Sequence, residues 1–133
     1  MLTKPALSIA DAKSIAAACV AEAERNGWTV VVAIIDDGGN LMYLEKMDGT
    51  QLGSVTVAQE KGRTALLFKR PTKALEDAVA GGRQVVMTMP LATPIEGGLP
   101  LVHQGHVVGA IGISGVQSHQ DGQIAAAGVA VLA

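Results

Sequence analysis

Aromatic side chains are nearly missing from this chain: Trp28, Tyr43 and Phe68 make up 2% of its 133 residues. No cluster of Lys and Arg is interleaved with them, and 10 basic against 12 acidic residues leave a net charge of −2, so a dedicated nucleic-acid surface is not expected. Cysteine is almost absent as well. The single Cys19 rules out an intramolecular disulfide, and no Cys/His spacing suggests structural zinc. Met1 to Pro5 lacks the charged start and apolar core of a secretory leader. No uncharged apolar run reaches the roughly 18 residues of a membrane span. A reducing, cytoplasmic location without membrane or nucleic-acid partners is the expectation.

What the chain does have is aliphatic: 49% of its residues are hydrophobic, mostly Ala, Val, Ile and Leu, and 16 are glycine. Residues 1–133 are one domain's length. Small side chains let elements approach closely, and the apolar surplus points to burial between subunits, since obligate interfaces resemble a core cut in half.

Ser8 and Asp11 form a capping box that opens a helix running to about Asn26, with apolar residues at helical spacing and Gly27 as its stop. Trp28–Ile35 and Leu41–Met47 read as strands joined by the turn formers Asp36, Asp37, Gly38, Gly39 and Asn40. The two aspartates are read as bonding to their own turn backbone. A second helix is expected over Ser54–Lys69, and a third to about Ala80, capped by Thr72 and closed by Gly81-Gly82. Between Arg83 and Pro100 the signals conflict, Val85–Met87 suiting strand or helix, within a long ordered loop. Leu99–His103 and His106–Ser114 make a hairpin around Gln104-Gly105, and Ser118 with Asp121 caps an alanine-rich last helix. The fold class is α+β, an antiparallel sheet flanked by helices in a single domain.

Gly109–Gly115 resembles neither nucleotide nor nucleophile templates closely enough. It lacks a G-x-G-x-x-G opening a helix, and Val116 stands where G-x-S-x-G needs glycine. Glycines inside a strand mark close approach of another element, while Ser114 at the strand end remains a binding hydroxyl. His103 and His106 flank the turn, with Cβ atoms within about 5.5 Å in a regular pairing, as two ligands to one metal or as exposed turn residues. His119, in the first turn of the last helix, is a surface residue, a ligand or a proton shuttle. Lys61 falls on or beside the apolar stripe of its helix. It is read as an anion anchor or nucleophile, or as a snorkelling border residue or the partner of a carboxylate such as Asp36 or Asp48, with Thr64 adjacent, while Glu60 and Arg63 form a solvated face. Gly97-Gly98 offers backbone that a ligand could approach.

Five segments taken together, Ile35–Leu41, Lys46–Gly49, Lys61–Ala65, Gly97–Pro100 and Gly105–Gly115, resemble the GlcG/HbpS family and the C-terminal domain of PduO-type cobalamin adenosyltransferases. The likeness spans about Ser8 to Ala133, with Gly62 standing where members commonly have alanine. It implies a profilin-like domain, homo-oligomers that are often octamers, and haem binding, in settings of redox sensing or small-molecule catabolism. With three aromatics, haem would lie in a surface groove or between subunits, with His103, His106 or His119 as candidate iron or metal ligands. A small-molecule site drawn from the same segments comprises Asp48, Lys61, Thr64, Gly97, Gly98 and Ser114. The alternative is a cofactor-independent catabolic enzyme for an oxygenated or carboxylate metabolite, with Lys61 and His119 as its reactive groups.

Overall fold

The computed structural model describes residues Met1–Ala133. In chain order it comprises α1 (Ile9–Arg25), β1 (Val31–Asp36), β2 (Leu41–Lys46), α2 (Ser54–Phe68), α3 (Thr72–Ala80), a 3-10 turn (Gln84–Thr88), β3 (Gly98–His103), β4 (His106–Ser114), α4 (Ser118–Val129) and a closing 3-10 turn (Ala130–Leu132). The four strands form one antiparallel sheet in the order β2-β1-β4-β3. No helix is long and apolar enough to cross a membrane.

The unbroken apolar run Val31–Ile35 of β1 reflects its central place, covered on both faces. Alternate residues Val30, Val32 and Ile34 meet Ile15, Cys19 and Ile124 of α1 and α4, whereas Val31, Ala33 and Ile35 meet Ala58, Ala65 and Leu66 of α2. The sheet is thus the middle of three layers. The strand begins at Val31 rather than Trp28, because Trp28 is still tied to α1, its amide donating to the Ala23 carbonyl at 2.9 Å.

Local chemistry explains the turns. Asp36 Oδ1 accepts from the Gly38 and Asn40 amides, both at 2.9 Å, holding the β1–β2 turn. Gln104 (φ 50°) and Gly105 (φ 78°) are both left-handed, which a two-residue turn matched to strand twist requires. The Ser8–Asp11 capping box forms in both directions.

Two expectations are corrected, and the open one at Val85–Met87 is resolved. Pro71, not Thr72, precedes α3, and the Thr72 hydroxyl instead accepts from the buried Gly98 amide at 2.9 Å. The box that opens α4 is Gln117–Gln120, one residue earlier than Ser118–Asp121, because Asp121 faces inward. Val85–Met87 lies within a 3-10 turn, and the loop that follows is held by Thr64, whose hydroxyl accepts from the Thr93 amide at 2.9 Å.

Cys19, on α1, is fully buried against Gly128 of α4, and burial pushes its thiol up to about 12. A disulfide-exchange reagent at pH 8 is expected to leave the native protein unlabelled and to modify the thiol at once in guanidinium chloride, since only the thiolate attacks. Rapid labelling of native protein, followed by absorbance, would refute this placement.

Candidate functional site

The face of α2 that meets β4 carries Ser54, Ala58, Lys61 and Ala65, all buried. Lys61 is 2% exposed, and its ammonium donates to Asp121 Oδ2 and to the Ile113 carbonyl, each at 3.0 Å. The other Asp121 oxygen accepts from the Val116 amide at 3.2 Å. Burial pushes the Asp121 carboxyl above its ordinary range, and the charge and hydrogen bond of Lys61 oppose that rise. The partner of Lys61 is therefore neither Asp36 nor Asp48. It comes from α4, 60 residues away, and Asp121 escapes sequence reading because Ser118-x-x-Asp121 also fits a local cap. The signal that points to it is Lys61 itself, since an ammonium on an apolar stripe requires a buried carboxylate.

Gly97 and Gly98 pack against this lysine. A Cβ on Gly97 would lie 2.9 Å from Lys61 Nζ, and one on Gly98 would lie 2.3 Å from the Lys61 carbonyl oxygen. The glycines make room for the ion pair instead of opening toward solvent. Ser114 donates to Ser54 at 3.0 Å across the same α2–β4 contact. Thr64, also on α2, donates to the Glu60 carbonyl at 2.7 Å. The structure thus gathers Lys61, Gly97, Gly98, Ser114 and Asp121 between helix and sheet, where Lys61 Nζ ties α2 to β4 and α4. Glu60 and Arg63 pair with each other at 2.9 Å.

Asp48 and the three histidines lie elsewhere. Three open grooves mark the surface, and Lys61 lines none of them. Asp48 borders one of about 340 Å³ with Glu24, Glu45, Lys46 and Met47. The hairpin pairs His103 with His106 in register, both exposed. They nevertheless border different grooves, His103 beside Asp11 in one of about 200 Å³ and His106 beside Lys4 and Lys69 in one of about 460 Å³. No three His, Cys, Asp or Glu side chains cluster to hold a metal ion. His119 is exposed on α4 and borders no groove.

The molecule is a three-layer α+β domain with its polar cluster sealed inside, His103 and His106 on open grooves and His119 on none. A family model described as haem degrading protein HbpS-like matches residues 7–130, and the chain belongs to that family. It is 46% identical over 114 residues to protein GlcG of Escherichia coli K12, covering 86% of this chain and 85% of that one. A crystal structure of a Streptomyces reticuli HbpS double mutant superposes with a TM-score of 0.89 at 31% identity, covering all of this chain (100%) and 91% of the other. A crystal structure of a PduOC–heme complex superposes with a TM-score of 0.85 at 31% identity, over 95% and 94% of the two chains.

Proposed function

We propose that this chain is a haem-binding protein that works in the cytoplasm as a homo-oligomer, an octamer being the leading size, as an accessory to redox sensing or small-molecule catabolism. The observation that carries the reading is the likeness to the PduOC–heme complex over 95% of the chain. The donor set fits the group. A bare metal ion bound by protein alone needs several converging side chains, and none converge here. Haem brings its own equatorial nitrogens, so one accessible imidazole is enough as an axial ligand. When bound, haem would supply a redox-active iron, with this chain's histidine completing its coordination. Assembly is supported by large apolar side chains left in solvent, among them Leu52 at 81%, Met87 at 67% and Leu91 at 65% exposure.

Titration with ferric haem is expected to give a saturable shift of the Soret band, and native mass spectrometry of the same sample is expected to show a multimer that retains haem. A linear, non-saturating spectrum overturns haem binding, and a monomer at all concentrations overturns assembly.

A further inference from the structure

On the haem reading just given, we infer that the group sits in the groove formed by the N-terminal segment, the end of α2 and the β3–β4 hairpin, with His106 as iron ligand and Lys69 meeting its carboxylates. Size, donor and charge favour this groove. Ligand pockets usually measure about 300–1,000 Å³. The His106 groove reaches about 460 Å³, whereas the one beside His103 has about 200 Å³.

Charge separates the three grooves further, because haem carries two propionates. Asp11 is the only charged side chain lining the His103 groove, and the Ser8 backbone and side chain hold its carboxyl below the usual range, so it stays ionised and repels them. Glu24, Glu45 and Asp48 outnumber Lys46 in the 340 Å³ groove, which has no histidine. In the His106 groove the charged side chains are Lys4, Asp37 and Lys69. Asp37 is engaged by Lys4 at 2.7 Å, and Lys69 pairs with no carboxylate, leaving one ammonium uncompensated.

The apolar requirement is met beside these charges. Leu66, Leu67 and Val107 line the groove, and Leu67 is 44% exposed. The same groove thus offers a macrocycle aliphatic side chains and one unpaired ammonium. Lys69 occupies this position because α2 ends on it in a left-handed conformation (φ 53°, ψ 42°), unusual for a residue other than glycine. The outlier is maintained at the rim of the largest groove.

The test compares wild type with His106→Ala, His103→Ala, His119→Ala and Lys69→Glu, all at exposed positions, by ferric haem titration and by resonance Raman of the ferrous complex. His106→Ala is expected to abolish the iron–imidazole stretch and to weaken binding by at least about tenfold, with the other two histidine variants unchanged. Lys69→Glu is expected to keep the stretch and to weaken haem binding by about tenfold, but to leave binding of haem dimethyl ester, which has no carboxylates, unchanged. An iron–imidazole stretch that persists in His106→Ala, or is lost in His103→Ala or His119→Ala, overturns this site while haem binding itself stands. Failure of wild type to saturate overturns both.

Discussion

Lys61→Met is expected to lower the unfolding free energy by about 3–5 kcal/mol at pH 7, measured by urea denaturation, because it leaves the Asp121 carboxylate buried with its chief counter-charge removed. The cost should depend on pH, with a sign that the geometry fixes. Burial already raises the Asp121 carboxyl, and removing Lys61 deletes the two largest opposing influences, its charge and its hydrogen bond. The folded-state value then stands still further above the unfolded one, near 3.9. Between those two values the folded chain holds a proton that the unfolded chain has lost, so the variant loses stability as pH rises through that window and regains it on acidification. The deficit relative to wild type should therefore shrink as pH falls from 7 toward 4. Asp11, Glu22 and Asp37, whose carboxyls are held below their usual range, weaken both proteins alike at lower pH and cancel in the comparison. The double replacement Lys61→Met with Asp121→Leu should recover most of the loss, since an apolar pair of similar volume often matches a buried ion pair. A single-variant deficit below about 1 kcal/mol, the range of an exposed pair, would show that the contact is not a buried one.

Where the sequence could be read correctly, the chemistry was local. The Ser8–Asp11 box lies within one turn, the Gln104-Gly105 turn needs only two left-handed residues, and the apolar run of β1 is its own signature of double burial. Where it misled, a distant group claimed a side chain that local rules would have used. Thr72 and Asp121 both stand where caps are common, yet one is taken by Gly98, 26 residues on, and the other by Lys61. The largest groove divides the same way. His106 could be singled out as a rare donor beside a turn, whereas nothing in the sequence ties Lys4 or Lys69 to it. Only the fold brings residue 4, the end of α2 and the hairpin to one groove.

Gly112→Ala is expected to destabilise the protein by at least about 3 kcal/mol, at or beyond the upper end of overpacking. The glycine-rich β4 lies directly beneath α2, and a Cβ on Gly112 would fall 1.8 Å from the Ala58 carbonyl oxygen and 2.6 Å from the Gly62 amide nitrogen. Both obstacles are backbone, so no rotamer change relieves them. The helix would have to lift from the sheet, pulling Lys61 away from the Ile113 carbonyl and loosening Ala58, Ala65 and Leu66 from Ile35. Gly62→Ala, across the same contact, should cost less, about 1 kcal/mol. Its nearest obstacle is a side-chain atom, Ile35 Cγ1 at 2.8 Å, and the nearest backbone atom, the Gly112 amide nitrogen, stands at 3.1 Å. Gly53→Ala, with open space around it and an ordinary φ of −60°, should stay within about 0.5 kcal/mol. Chemical denaturation of the three variants must reproduce this order. Equal losses at positions 53 and 112 would mean that the separation between α2 and β4 does not set the cost.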